Sequence, residues 1–152
     1  MRKTLSDPEN RDEIIDRMKS VHPGSQRRWG RMSAHQMICH LADSFRVTIG
    51  EKTVSADPGA PNKIMKWCAL QLPFAWPHGV QTRPEVDQFV GGTTPMEFES
   101  DREELLRLLH RFARQPRTFE WQPHPIFGHM RDQEWMRWGY LHTDHHLRQF
   151  GV

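Results

Sequence analysis

Cysteine is scarce in this sequence of 152 residues, which contains only Cys39 and Cys68. Two cysteines are too few for a disulfide framework, so the composition predicts a chain that folds without cross-links in a reducing compartment. The opening segment, MRKTLSDPENRDEIIDR, has no apolar run of the kind that a secretory signal peptide needs. We therefore expect a cytoplasmic protein.

Long apolar runs and an excess of charge of one sign are also missing. No window of the sequence approaches the roughly 18 apolar residues of a transmembrane helix, and the mean hydropathy is -0.78. Lys and Arg number 21 against 19 for Asp and Glu, which leaves a formal charge of +2. Such a balance provides no basic stripe for nucleic acid and no strong field for an anionic membrane. Neither partner is expected.

Histidine, tryptophan and methionine are abundant by contrast. The chain contains ten His, six Trp and eight Met but a single Tyr. Imidazole is a common metal ligand, so this enrichment invites a metal-binding hypothesis. The length fits one domain of ordinary size, and we expect residues 1–152 to form a single domain.

The first two predicted helices have clear start signals. Asp7 is a predicted N-cap with Pro8 in the first turn, and Ser33 and Gln36 have the spacing of a capping box. Residues on one helix face then follow at spacings of three and four. They are Ile14, Ile15 and Met18 in the first helix, and Met37, His40, Leu41, Ser44, Phe45 and Thr48 in the second. His40 is therefore expected to face inward.

Three further helices are predicted, over residues 61–73, 100–114 and 132–151. In the first of these, one face is shared by Ile64, Trp67, Cys68 and Gln71. The second begins with the spacing of another capping box, Ser100 with Glu103. Residues 73–95, called the flap below, contain four prolines and a Gly-Gly pair. Their prolines and glycines would interrupt a helix or a strand, and their aromatic residues are atypical of a disordered linker. An ordered loop is therefore predicted. No segment alternates apolar and polar residues for long enough to predict a β-strand, which indicates an all-α fold.

Two histidines, His142 and His146, are predicted one turn apart on the same face of the last helix as two tryptophans. His145 lies about 100° further round that helix and is expected to point elsewhere. Buried imidazoles need partners for their ring nitrogens, and a divalent ion shared with His40 would supply one to each. Hydrogen bonds to carbonyl or carboxylate oxygens in the core would do so equally well, so the spacing alone leaves both interpretations open.

Three segments, MSAHQMICHLADSFR, HPIFGHMRDQEW and YLHTDHHLRQFGV, resemble the DinB/YfiT-like superfamily, in a branch of unknown function. The resemblance implies a bundle of four or five helices in which one His of the second helix and two of the last bind a divalent metal. Those positions correspond to His40, His142 and His146, and His35 and His145 are not expected to join them. We therefore predict a four-helix bundle of this type with long irregular loops and a site for Zn, Ni or Fe. Where the family has H-R-G-Q, this chain has HLRQ, which keeps the ligand register.

Residues close to the predicted ligands have more than one interpretation. Gln36 lies one turn before His40, and Gln149 nearly one turn after His146, so each can orient a ligand through a hydrogen bond. Gln36 can equally serve only as a capping residue. Asp43 can accept the free N–H of His40 or simply face water. The HPIFG segment, residues 124–128, matches a recurrent signature of the resembled branch, and we interpret it as a rigid turn onto the last helix.

Three imidazoles and an open coordination position indicate Lewis-acid chemistry on water, a thiol or a carbonyl group. We expect a metal-dependent transferase or hydrolase acting on a small molecule, and the resemblance suggests a low-molecular-weight thiol as co-substrate. The alternative is a non-catalytic metal-binding or dimerisation module in which the histidines hold the core together. Catalytic residues other than the metal ligands are not predicted. Leftover apolar helix faces, together with the resemblance, lead us to expect a symmetric homodimer.

Overall fold

The computed structural model describes residues 2–152, which form five packed α-helices. In chain order these are α1 (Pro8–Ser20), α2 (Ala34–Thr48), α3 (Lys63–Gln71), α4 (Phe98–Ala113) and α5 (Asp132–Gln149). One turn of 3-10 helix, Pro84–Val86, lies in the flap. No strand occurs within residues 2–152, where the only β-type pairing is an isolated bridge between His124 and Gly128. The all-α prediction is confirmed, and each of the five helices predicted from the sequence is present, with α3 in place of the helix predicted over residues 61–73.

The helices pack in pairs around a shared core. α2 lies against α4, α1 lies against α5, and α3 packs on α5. Phe45 of α2 and Phe112 of α4 meet edge to face with their ring centroids 4.8 Å apart, a geometry that the aromatic quadrupole favours. Within the described residues, no helix combines the length and the apolarity that a membrane crossing requires.

The predicted starts of α1 and α2 are confirmed by their caps. Asp7 accepts a hydrogen bond from the amide of Glu9 at 2.9 Å, and Ser33 and Gln36 form the reciprocal capping box. These bonds satisfy amides that have no partner in the first helical turn. The box fixes where α2 begins and therefore helps to determine that His40 faces the core.

The predicted cap of α4 is wrong, and the N-cap lies three residues earlier than expected. The N-cap is Glu97, whose carboxylate accepts from the amides of Glu99 at 3.3 Å and Ser100 at 2.7 Å. A carboxylate at this position also interacts favourably with the helix dipole. Ser100 consequently lies inside the first turn and does not pair with Glu103 as a capping box.

The residues that share a face of α3 lie toward solvent. Ile64 is 79% exposed and Trp67 is 58% exposed, whereas Leu70 is buried. α3 is only nine residues long and contacts α5 through another side, so this apolar stripe has no cover within residues 2–152. Exposed apolar stripes of this kind often mark interaction surfaces.

Gly139 lies where α5 approaches its neighbours most closely. A Cβ at this position would lie 2.7 Å from Cε1 of Phe112 and 2.8 Å from Cδ1 of Leu5. We expect Gly139→Ala to lower the free energy of unfolding by about 1–3 kcal/mol, because overpacking outweighs the gain of about 1 kcal/mol in helix propensity. Urea denaturation measures this change. Gly24→Ala is the control, since a Cβ there would approach only the His22 ring, at 3.4 Å; equal losses in both variants would contradict the packing argument.

Candidate metal centre

His40 lies in the middle of α2, with only 4% of its surface exposed. Its Nδ1–H donates a hydrogen bond to the carbonyl oxygen of Val86 at 2.8 Å. Because a carbonyl oxygen only accepts, Nδ1 carries the proton and Nε2 keeps its lone pair. Val86 ends the 3-10 turn of the flap, so the flap orients His40 through its backbone.

His142 and His146 lie one turn apart on α5. Nδ1–H of His146 donates to Oε1 of Gln149 at 2.9 Å, and Nε2 of the same amide donates to the carbonyl oxygen of Trp29, also at 2.9 Å. The bond to Trp29 determines which end of the amide faces the histidine. His146 therefore has its proton on Nδ1 and a lone pair on Nε2.

The three imidazoles, called the His triad below, converge on one point. The ring centroid of His40 lies 5.4 Å from that of His142 and 4.8 Å from that of His146, and the last two are 5.0 Å apart. One ligand nitrogen of each ring lies within 4.8 Å of those of the other two. Binding at about 2.0–2.1 Å to a shared ion would draw these nitrogens closer together. The donors present therefore fit a divalent metal ion.

Burial keeps the triad in the neutral form that a metal ion requires. Desolvation is the main cause that lowers the pKa of each ring, and neighbouring histidines lower the pKa of His142 and His146 further. For His40, the bond to the Val86 carbonyl opposes desolvation, but the pKa is still lowered. A protonated imidazole must become neutral before it binds a metal ion. The fold therefore favours the form of these histidines that binds metal.

The triad opens onto a cavity of about 970 Å³, called the triad cavity below. Much of its wall is apolar and comes from the flap, α5 and the loop before α5. Trp76 of the flap stacks on His142 with the ring centroids 6.1 Å apart, and Trp138 lies 4.8 Å from the same ring. A mostly apolar cavity of this size with a few convergent polar groups is typical of small-molecule sites.

Residues 3–151 match the sequence profile of a family described as "Protein of unknown function (DUF1569)". The chain belongs to the DUF1569 family. No curated protein and no solved structure matches it. The family thus establishes a relationship without an activity, and the chemistry of this DUF1569 protein has to be interpreted from its own geometry.

Asp43 neither accepts the N–H of His40 nor faces water, so both interpretations of this residue are wrong. Its fully buried carboxylate accepts from the amide and the hydroxyl of Thr93 at 2.7 and 2.6 Å, and it lies 3.0 Å from Nζ of Lys52. Although burial alone raises the pKa of Asp43, these bonds hold it below its usual value. Asp43 thus fixes the flap to α2, while Val86 takes the histidine N–H.

The two glutamines that were expected near the ligands have different roles in this DUF1569 protein. Oε1 of Gln36 accepts from the amide of Ser33 at 2.9 Å, so this side chain belongs to the capping box and does not contact His40. Gln149, by contrast, bonds directly to His146. Of the two, only Gln149 is placed to orient a ring of the triad.

His35 and His145 lie outside the triad. Nε2 of His35 is 2.7 Å from a carboxylate oxygen of Asp101, in a separate cluster. His145 was expected to point away from the site, but it lines the triad cavity. There it lies 5.8 Å from Trp29 and 6.2 Å from Trp76 between ring centroids. Burial is the main cause that lowers the pKa of His145 to about 4.

The HPIFG segment forms a tight turn before α5. The backbones of His124 and Gly128 exchange two hydrogen bonds of 2.9 Å, and Gly128 has a φ of +70°. A Cβ at Gly128 would lie 2.8 Å from Cβ of Pro61, so the turn needs glycine for both its conformation and its packing. Nδ1 of His124 accepts from the amides of Ile126 and Phe127 at 3.1 Å each.

Sequence reasoning missed the contribution of the flap to the site. Val86 acts on His40 through its carbonyl oxygen, and Trp29 acts on Gln149 in the same way. A backbone group carries no side-chain signal, so no motif could have identified either residue. The aromatic content of the flap was the signal for Trp76, which covers one face of His142.

Gln149→Leu should weaken metal binding by about 10–100-fold, the usual cost of losing a partner that orients a ligand histidine. The change removes the acceptor of His146 and also leaves the Trp29 carbonyl without its donor. Competition with a chromophoric chelator measures the affinity. Gln36→Leu is the matched control, because it should lower stability by about 1 kcal/mol through the lost cap and leave the affinity unchanged. Similar affinities for the two variants would disprove the orienting role of Gln149.

Proposed function

We propose that His40, His142 and His146 hold one divalent metal ion, and that the protein is a metal-dependent transferase or hydrolase acting on a small molecule. The observation that carries this proposal is a set of three neutral imidazoles, two buried and one half-buried, that opens onto a cavity. Three protein ligands with an open position are typical of catalytic sites, whereas structural sites are closed by a fourth ligand. Within residues 2–152, no fourth His, Cys, Asp or Glu joins the set.

A bound divalent ion would supply Lewis acidity, which lowers the pKa of water or a thiol and polarises carbonyl groups. The side chains and backbone of this protein would do the rest. Val86 and Gln149 hold two rings in the tautomer that leaves Nε2 free, and Trp76 and Trp138 offer apolar surface to a substrate. Cys39 is not a candidate nucleophile, because its side chain is buried and burial raises its pKa to about 12.

The finer assignments are proposals supported by the position of the triad. One ligand from α2 and two from α5 agree with the arrangement implied by the DinB/YfiT-like superfamily, and we propose membership of it. That resemblance also supports a low-molecular-weight thiol as co-substrate. Zn, Ni and Fe all suit imidazole ligands, so the donor set does not choose between them. A nucleic-acid partner is not proposed, given the balanced charge.

Elemental analysis of protein purified without a polyhistidine tag tests the proposal. We expect about one ion per chain, lost on His142→Ala, and thiol-transfer or hydrolase activity only in the metal-loaded form. A non-catalytic metal-binding or dimerisation module is the competing function. Stoichiometric metal with no activity toward thiol and ester or amide substrates would favour that module. An absence of metal, or metal that survives His142→Ala, would refute the site.

We also propose a symmetric homodimer that buries the exposed stripe of α3. The support is the exposure of Ile64 and Trp67, neither of which lines the triad cavity. Light scattering at micromolar concentration should give twice the chain mass, and Trp67→Glu should give the chain mass. Met96→Glu is the control, since Met96 is also an exposed apolar residue, at 84%, but lies outside the stripe. A monomeric unsubstituted protein would contradict this proposal.

A further inference from the structure

His124 lies in the wall of the triad cavity, and its hydrogen bonds fix its tautomer. Its Nδ1 accepts from the amides of Ile126 and Phe127, both at 3.1 Å. A ring nitrogen that accepts carries no proton, so the neutral ring must carry its proton on Nε2. The HPIFG turn therefore sets this side chain as an Nε2–H donor.

The donor nitrogen of the His124 ring keeps exposed surface. His124 lines the same cavity as the triad. Phe127 covers one face of the ring, with centroids 4.2 Å apart and planes 12° apart. Within residues 2–152, Nε2 of His124 has no hydrogen-bond partner, but this atom is not fully buried. It therefore remains accessible. Trp138 lies close to both groups, with its ring centroid 5.6 Å from that of His124 and 4.8 Å from that of His142.

The surroundings of His124 select the kind of ligand atom that it can bind. Burial lowers the pKa of His124 to about 3, so the ring stays an uncharged donor across the physiological range. An N–H in a largely apolar wall is best satisfied by an oxygen acceptor, because an unpaired polar group in such a place is costly. A cation or a second donor would find no lone pair on this nitrogen.

We propose that His124 is a binding subsite for a carbonyl or carboxylate oxygen of a small molecule whose other end lies at the triad. Trp138 supports the apolar part of that molecule between the two ends. The inference rests on the proposed function in taking the triad as the place where the other end binds. It assigns to the HPIFG segment a role in ligand binding in addition to its turn.

Two variants distinguish the role of His124 in the HPIFG turn from its role as an Nε2–H donor. In His124→Asn, the side-chain oxygen can accept from the same two amides, as in an Asx turn, but no N–H reaches the position of Nε2. In His124→Gln, a longer amide can present an N–H to the cavity but supplies no acceptor at the position of Nδ1. Melting curves of both variants report whether the fold survives.

The binding test uses the full chain loaded with Co²⁺ and dicarboxylates from malonate to adipate as probes. Each is compared with the monocarboxylate of the same chain length, and the visible cobalt spectrum reports binding. One dicarboxylate should have the length that spans the triad and His124. We expect it to bind about tenfold more tightly than the matched monocarboxylate, because it gains one hydrogen bond to a charged acceptor. His124→Asn should abolish this preference, and His124→Gln should retain part of it. A preference unchanged in His124→Asn, or no preference at any length, would overturn the proposal.

A second readout does not depend on the metal. Nitrogen-15 NMR of the side chain should show the proton of His124 on Nε2, and the dicarboxylates should shift this resonance. If the protein takes up no Co²⁺, the proposed function fails, and the NMR titration then decides the subsite separately. A proton found on Nδ1, or an Nε2 resonance that none of the probes moves, would refute the subsite whatever the metal content.

Discussion

Saturating the metal-free protein with Zn²⁺ at pH 7.5 should raise its melting temperature by about 8–16 °C. Only the folded chain brings the histidines of α2 and α5 together, so the ion binds the native state alone and stabilises it by RT ln(1 + [L]/Kd). At a thousandfold excess over Kd this amounts to about 4 kcal/mol, and a chain of this size gains about 2–4 °C for each kcal/mol. Calorimetry with and without the ion measures the increment.

Two histidine variants of α5 provide the matched comparison. His142→Ala should abolish the Zn²⁺-dependent increment, because two remaining imidazoles form a poor site. His145→Ala removes an imidazole from the same helix and the same cavity, but not from the triad, and it should keep most of the increment. If both variants lose it equally, or neither does, the triad does not hold the ion.

The helix starts and the inward face of α2 could be predicted because they depend on short-range patterns. A capping box needs only Ser33 and Gln36, three residues apart, and it sets the phase of the whole helix. Once that phase and the phase of α5 are known, His40, His142 and His146 must face the core. The sequence therefore suffices to name the triad residues, and the resemblance indicates that they meet.

The partners of the triad could not be predicted, because they come from distant parts of the chain. The acceptor for His40 is a carbonyl 46 positions away, and any residue type can provide a carbonyl. By its spacing, Asp43 was a reasonable candidate for the acceptor of His40, but its carboxylate accepts two hydrogen bonds from Thr93 of the flap. The exposure of the apolar face of α3 could not be predicted for a related reason. An apolar stripe does not indicate whether the residues that pack on it belong to the same chain.

Lowering the pH below about 6.5 should destabilise the metal-free protein steeply. In the unfolded chain the histidines titrate near 6.5, whereas burial lowers the pKa of His40 and His146 in the folded state. Below pH 6.5 the unfolded state therefore binds more protons, and the free energy of unfolding falls as the pH falls. Above pH 6.5 both states are neutral at these rings and the full stability is present. Each ring contributes about 1.4 kcal/mol per pH unit until it protonates in the folded state.

A ring that stays neutral in the folded state removes about 2 kcal/mol of stability between pH 6.5 and 5, which is a substantial part of the 5–15 kcal/mol that is typical of a domain. Urea titrations between pH 7.5 and 5, with a chelator present, measure the slope. His146→Leu should flatten the slope by about one proton, even though it lowers the absolute stability by leaving Gln149 without its partner. His110→Ala, an exposed position on α4, is the control and should leave the slope unchanged. A slope that His146→Leu does not alter would show that His146 does not contribute to the acid sensitivity. If the slope does flatten, acid would release a bound ion mainly by opening the bundle, because the folded rings resist the proton that would otherwise displace it.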